Sequence, residues 1–220
     1  MKIVQPNCRV QFTPEDFAWL RQALDGGKGL EQLMREDDTL ADILDDPGLI
    51  QAIQDNPNRL KISTHLYFYL LTRKVLREVR LLNRKVAEYV AELLVHFADA
   101  RHLNLKAGGQ PPSAYFCDLL LALHQADAHT AFRIQAFMGD YALFLVGLFP
   151  ERIQHQATRK GAPSVRYYAG MGVSSYQAAS NHTLASQYAV AEVFSELAEN
   201  FELVCRALHD LAERYLFLAK

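Results

Sequence analysis

The sequence predicts an all-α protein, an irregular multi-helix bundle with a long C-terminal helix and a small N-terminal lobe of short helices. Apolar residues recur three or four positions apart over most of the chain, which is the period of a helix, and long alternating patterns typical of strands are absent. Half of the 220 residues are hydrophobic. A chain of this length and composition can bury the core of a single compact domain.

Residues 1–60 predict the lobe of short helices. This segment carries eleven acidic and six basic side chains. Thr13 as N-cap and Pro14 at the first helical position predict the start of its first helix. Two further short apolar faces follow: Leu40, Ile43 and Leu44, then Leu49, Ile50 and Ile53. Because each helix is too short to be stable alone, we expect the lobe to pack on a larger body formed by residues 61–220.

The body begins with a helical pattern over residues 62–103, which contain no proline or glycine. One long helix fits this pattern, and so do two helices with a kink near Asn83. The stretch 132–149 is apolar almost all round, which is typical of a central helix surrounded by others. Residues 194–218 show an unbroken alternation of three and four between apolar positions, which predicts the long last helix.

Charge, cysteine content and hydropathy argue against several classes of protein. The 23 basic and 25 acidic residues leave a formal charge of −2, which argues against a surface dominated by nucleic-acid binding. The three cysteines lie far apart with no Cys-x-x-Cys spacing, so we expect reduced thiols. Residues 1–10 lack the apolar stretch of an export signal, which favours the cytoplasm. The most apolar segment, 137–149, is shorter than a bilayer span and contains Asp140, so no membrane span is expected.

The apolar stripe of the last helix has two interpretations. It can pack into the protein's own bundle, as such faces do in antiparallel helical bundles, or form the two-fold interface of a homodimer. Packing inside the bundle is favoured, because the helical segments 62–103 and 132–149 also need covering. A homodimer or another protein partner stays as the alternative.

A row of arginines is the second feature of interest. Arg73, Arg77, Arg80 and Arg84 are spaced by four, three and four, which predicts one cationic helical face. Such a face could bind phosphates, nucleic acid or an acidic partner. We favour pairing within the chain, because the N-terminal lobe is rich in carboxylates and the planar guanidinium suits them well.

Asp140 is the third feature, because a carboxylate in an apolar helix is costly unless it is paired or hydrogen-bonded. Its candidate partners are Arg133, a tyrosine among Tyr167, Tyr168 and Tyr176, or His182. The favoured interpretation is a structural hydrogen-bonded carboxylate. In the alternative, a pocket lined by Asp140, Tyr168, Tyr176 and His182 binds a small molecule.

Metal and catalytic motifs are weak. Glu92 and His96 are four residues apart, which differs from the Glu-x-x-His spacing of di-iron bundles. A second group of potential metal ligands is His124, Asp127 and His129, and the candidate haem ligands are His65, His96 and His182. None of these sets is specific enough to assign a metal. Nucleophile-elbow, Walker and dinucleotide motifs are absent from the sequence, so an enzyme is disfavoured.

Two segments in the second half of the chain resemble paired segments of a family of uncharacterised bacterial helical proteins. The first runs from Gly139-Asp140-Tyr141-Ala142-Leu143-Phe144 to Gly147-Leu148-Phe149-Pro150, and the second from Tyr167-Tyr168 through Met171-Gly172 to Tyr176. The resemblance implies a bacterial cytosolic helical protein and implies no activity.

The sequence therefore predicts a non-enzymatic helical protein that acts by binding, as a homo-oligomer or as an adaptor that uses its acidic lobe or its arginine face. The alternative is a helical bundle that encloses a small apolar or cofactor-like ligand, with metal or haem among the candidates, against Asp140 and the tyrosines.

Overall fold

The structure, a computed structural model, describes residues 3–24, 36–55, 61–98 and 112–216. These residues are mostly helical and contain no strand, so the all-α prediction is confirmed. The helices, in chain order, are α1 (Pro14–Ala23), α2 (Asp37–Ile43), α3 (Pro47–Asp55), α4 (Thr64–Glu78), α5 (Arg84–Ala98), α6 (Pro112–His124), α7 (Ala128–Leu148), α8 (Pro150–Lys160), α9 (Val165–Ser180), α10 (Thr183–Gln187), α11 (Ala191–Glu199) and α12 (Phe201–Leu211). A 3₁₀ turn (Cys8–Gln11) precedes them and a π-helical turn (Ala212–Leu216) follows.

The first helix begins where its capping residues predict. The Thr13 side chain accepts a hydrogen bond from the Asp16 backbone N–H, and the Asp16 carboxylate accepts one from Thr13, which makes a capping box. Oδ1 of Asp16 also accepts a 2.6 Å hydrogen bond from the backbone of Ser63, which caps α4. One buried carboxylate thus joins the starts of α1 and α4.

The short helices α2 and α3 contribute to the same apolar core as the rest of the protein. Leu40, Leu44, Leu49 and Ile53 are buried in that core. The boundary between a lobe at 1–60 and a body at 61–220 falls next to residues 56–60, which lie outside the described residues. The division into these two parts stays a prediction.

The long pattern at 62–103 forms two helices, α4 and α5, so the two-helix alternative is confirmed. The first ends at Glu78 and the second begins at Arg84. Between them Arg80 adopts a left-handed φ of 63°, which terminates α4. The predicted end near residue 103 lies outside the described residues.

Helix α7 is the central helix, as predicted, and glycines bring its neighbours close. A Cβ at Gly139 would lie 2.6 Å from the Tyr176 ring of α9, and a Cβ at Gly147 would lie 2.8 Å from Leu208 of α12. With 21 residues, α7 is longer than the predicted core segment and has the length and composition of a membrane span. However, 83% of its most apolar window is buried inside the protein, which is the pattern of a core helix.

The prediction of one continuous C-terminal helix is wrong, because the helix is interrupted at Asn200. Its backbone leaves the helical conformation (φ −112°, ψ 21°), so that α11 and α12 are separate helices. The Asn200 side-chain amide donates a 3.1 Å hydrogen bond to the Glu196 carbonyl, which also accepts the backbone N–H of Asn200. The apolar stripe is nevertheless buried in both helices, from Phe194 to Leu211, so its packing inside the bundle is confirmed. Residue 218 lies outside the described residues.

Candidate functional site

The Asp140 carboxylate of α7 is buried and hydrogen-bonded to two tyrosines. Only 3% of the residue is exposed. Its Oδ1 accepts a 2.6 Å hydrogen bond from the Tyr89 hydroxyl of α5 and a 2.9 Å hydrogen bond from the Tyr176 hydroxyl of α9. Tyr176 was among the candidate partners, whereas Tyr89 was missed. The position of Tyr89 within the apolar pattern of α5 was the available signal, because a buried tyrosine hydroxyl needs a partner.

Burial dominates the electrostatics of these three groups. It raises the pKa of Asp140 to about 7, although the hydrogen bonds from both tyrosines act in the opposite direction. Burial and the nearby Asp140 charge also raise the pKa of Tyr89 and of Tyr176 well above the ordinary value. Both hydroxyls therefore stay protonated as donors, and the three side chains form a hydrogen-bonded link between α5, α7 and α9.

The other two residues of the predicted pocket, Tyr168 and His182, contact other parts of the protein. Tyr168 is buried against the Phe116 ring. It precedes Tyr176 by eight residues, which places it about 12 Å from Tyr176 towards the N-terminus of α9. His182 caps α10 by accepting a 3.2 Å hydrogen bond from the Leu184 backbone. Of the four residues, the structure brings together Asp140 and Tyr176, and a ligand at Asp140 stays a prediction.

The arginine row does not form one helical face, because α4 ends before Arg80. Arg73 instead binds Asp45 with two hydrogen bonds, from Nε at 2.7 Å and Nη2 at 2.9 Å, and donates a third to the Leu82 carbonyl. Its side chain is only 6% exposed. This is a largely buried bidentate ion pair between α4 and the turn that joins α2 to α3.

Two more arginines of the row bind the same acidic segment. Arg77 donates to the Asp45 backbone carbonyl at 2.9 Å, and Arg84 donates to Asp42 at 2.5 Å. Burial raises the pKa of Asp45, but the hydrogen bonds and charges of the arginines outweigh it and hold that pKa below the ordinary value. Arg80 is exposed in the turn. Internal pairing, the favoured interpretation, is thus observed for three of the four arginines.

A cavity of about 650 Å³ opens between the N-terminal segment and helices α4, α5 and α7. We call it the histidine cavity, because three histidines line it. Its lining residues are Ile3, Val4, Gln5, Asn7, Gln11, His65, Glu92, His96, His129, Arg133 and Tyr188. The sequence marked the histidines as separate candidates and did not predict that they converge, because they lie on three helices.

Helical spacing places the polar residues of the histidine cavity. Glu92 and His96 are four residues apart on α5, and His129 and Arg133 are four apart in the first two turns of α7, so each pair shares a helical face. His65 lies in the first turn of α4. The Cys8 thiol donates a 3.4 Å hydrogen bond to the His65 carbonyl and fixes the N-terminal segment against that turn.

Two charged groups of the cavity have no hydrogen-bond partner among the residues that the structure describes. Oε2 of Glu92 is enclosed and accepts no hydrogen bond within the described part of the chain. Its contact with His65 Nε2 is 3.4 Å long, and this pair is ionic only when the histidine is protonated. Arg133 is half-buried and forms neither a hydrogen bond nor an ion pair with the described residues. The cavity can therefore offer a free guanidinium and a carboxylate to a ligand.

A second polar cluster, which sequence analysis missed, lies between α8 and α12. Glu151, His209 and Glu213 hold one ligand atom each within 4.8 Å of one another. Nε2 of His209 is 3.3 Å from Glu151 and 3.9 Å from Glu213. The Glu151 side chain is 65% exposed, so this cluster faces water rather than a cavity.

Comparisons with protein families, with curated proteins and with solved structures find no match to this chain. The resemblance carried by segments 139–150 and 167–176 stays a prediction. In the structure these segments lie on neighbouring helices, where Gly139 packs against Tyr176 and Tyr176 binds Asp140.

Proposed function

We propose that this protein binds a small anionic molecule, one that carries a carboxylate or a phosphate group, in the histidine cavity. The observation that carries the proposal is Arg133, a half-buried residue on the cavity wall whose guanidinium has no carboxylate partner among the described residues. Withdrawing a cation from water costs free energy that an anionic ligand offsets, and a planar guanidinium suits carboxylate and phosphate alike.

The other residues of the cavity support the same ligand class. His65, His96 and His129 add imidazole donors around the volume, and Gln5, Asn7 and Gln11 add amides. A volume of about 650 Å³ suits a small molecule rather than a macromolecule. The proposal keeps the predicted alternative of a ligand-binding helical bundle and moves its site from Asp140 to the histidine cavity.

The adaptor and homodimer functions have less support. Arg73, Arg77 and Arg84 bind carboxylates or a carbonyl of the same chain, so the arginine row offers less charge to an external partner. The apolar stripe of α11 and α12 is buried inside the protein. We also propose a cytoplasmic location, because Cys8, Cys117 and Cys205 are free thiols, as is usual in a reducing compartment.

Isothermal titration calorimetry with citrate, succinate and inorganic phosphate tests the proposed function. We expect saturable binding of at least one of these probes. Arg133→Gln should weaken it at least tenfold, because a charge-assisted hydrogen bond contributes about 1.5 to 3 kcal/mol. Arg80→Gln, which removes an exposed arginine, is the matched control and should leave the affinity unchanged. The proposal is overturned if none of the probes binds, or if both variants bind like the wild type.

A further inference from the structure

We infer that His65 and Glu92 bind a divalent transition-metal ion in the histidine cavity, with His96 as the third protein ligand. The inference starts from the contact between His65 Nε2 and Glu92 Oε2. These atoms are 3.4 Å apart, yet Oε2 accepts no hydrogen bond from any described residue. The contact thus has the length of a loose polar pair without the directionality of a hydrogen bond.

A shared metal ion accounts for both the length and the missing hydrogen bond. Two ligands of one tetrahedral ion, with bonds of about 2.1 Å to nitrogen and oxygen, lie roughly 3.4 Å from each other. An ion between the two atoms would also give the enclosed Glu92 oxygen the partner that it lacks among the described residues. An unsatisfied carboxylate oxygen at an enclosed position is otherwise costly.

His96 is the residue that can complete the set. It follows Glu92 by four residues on the same face of α5 and lines the same cavity. In the described part of the chain, the group that brings three potential ligand atoms within 4.8 Å of one another is Glu151, His209 and Glu213. The His96 imidazole therefore lies further from the other two ligands and must rotate towards Glu92 to bind the ion. Two imidazoles and one carboxylate suit zinc, iron(II) or cobalt(II) and leave a coordination position open.

The open coordination position extends the proposed function, and this part of the inference rests on that function. An anionic ligand that Arg133 holds could complete the coordination of the ion, since both line the same cavity. The ion itself does not require that ligand. Binding of metal and binding of anion can therefore be measured separately.

Enclosure distinguishes this pair from the cluster between α8 and α12. The Glu92 side chain is 17% exposed, whereas those of Glu151 and Glu213 are 65% and 51% exposed. Water competes more strongly for an ion at exposed carboxylates, where the effective dielectric constant is high. The exposed cluster therefore serves as the internal control for adventitious binding of a metal.

Titration of the full chain with Co²⁺ and Zn²⁺, after dialysis against a chelator, tests the inference. We expect one equivalent to bind, with the visible absorption bands of cobalt in a site of low coordination number. Glu92→Gln keeps the shape of the side chain and removes its charge, and His65→Gln removes the imidazole from the first turn of α4. Each should weaken binding at least tenfold, while circular dichroism shows that both variants fold.

The matched control is His209→Gln, which should bind the metal like the wild type. Absence of stoichiometric binding overturns the inference, and so does binding that His209→Gln abolishes while His65→Gln and Glu92→Gln retain it. Failure of the inference and failure of the proposed function are distinguishable. Citrate, succinate and phosphate titrated into the chelator-treated protein report on Arg133 alone.

Discussion

The hydroxyl of Tyr89 donates a 2.6 Å hydrogen bond to Oδ1 of Asp140, which lies 51 residues further along the chain. Tyr176 donates to the same oxygen, so one carboxyl group connects α5, α7 and α9 in the core. Because burial raises the pKa of this carboxyl to about 7, the link changes its charge near neutral pH. The stability of the protein should report that change.

We expect the free energy of unfolding to fall as the pH rises from about 4 to about 7. An unfolded chain ionises Asp140 near pH 4, whereas the native protein retains the proton up to about pH 7, so unfolding releases a proton throughout this window. The native pKa lies about 3 units above the ordinary value, which corresponds to a loss on the order of 4 kcal/mol.

Asp140→Asn should remove this pH dependence, because the amide keeps an acceptor oxygen for the two tyrosines and carries no charge. Urea unfolding at pH 5, 6, 7 and 8 measures the effect. The variant should gain stability relative to the wild type as the pH rises. Parallel profiles for the two proteins would show that Asp140 is not the titrating group.

The ion pair between Arg73 and Asp45 should make a large contribution to stability. Asp45→Asn leaves a guanidinium that is 6% exposed without its carboxylate, and we expect a loss of about 3 kcal/mol at pH 7. The contribution is present above pH 4 and is lost as the pH falls through the native pKa of Asp45, because that pKa is lowered. Urea unfolding at pH 7 measures the loss.

Asp42→Asn is the matched control for this prediction. Asp42 pairs with Arg84 in the same arginine row, but its side chain is 78% exposed, so its removal should cost less than about 1 kcal/mol. Equal losses in the two variants would contradict the assignment of the stabilisation to the buried pair.

Gly172 and Gly170, two residues apart on α9, should respond in opposite directions to alanine. A Cβ at Gly172 would overlap the Phe201 ring and lie 2.9 Å from the Ala142 Cβ, so Gly172→Ala should destabilise the protein by about 2 kcal/mol. A Cβ at Gly170 meets open space, so Gly170→Ala should stabilise by about 0.5 to 1 kcal/mol. Thermal unfolding compares the two, and an unchanged or raised stability of Gly172→Ala would refute the close approach of α7, α9 and α12.

The start of the first helix was predictable from the sequence because capping is local. Thr13 accepts a hydrogen bond from the backbone of a residue three positions later, so the pattern within one turn predicts the structure. The break at Asn200 was not predictable from periodicity, because the apolar spacing continues through it. There the backbone of Asn200 leaves the helical conformation, and the spacing of apolar residues carries no signal of that change.

The candidate sites depended on contacts between distant parts of the chain. A buried carboxylate at Asp140 predicts that a donor faces it, but choosing Tyr89 requires the packing of α5 against α7. The histidine cavity arises in the same way, since His65 and Arg133 line one volume only after α4 and α7 have packed. Local sequence patterns identify such residues and do not tell which of them meet.

The guanidinium of Arg73 binds Asp45 in the turn between α2 and α3 and the carbonyl of Leu82 in the turn between α4 and α5. A motion that opens this turn must therefore also release the acidic segment, since one side chain holds both. In amide hydrogen exchange, the α2–α3 segment and the turn should open together as a single cooperative unit. Protection factors measured in one should then change in parallel with those measured in the other.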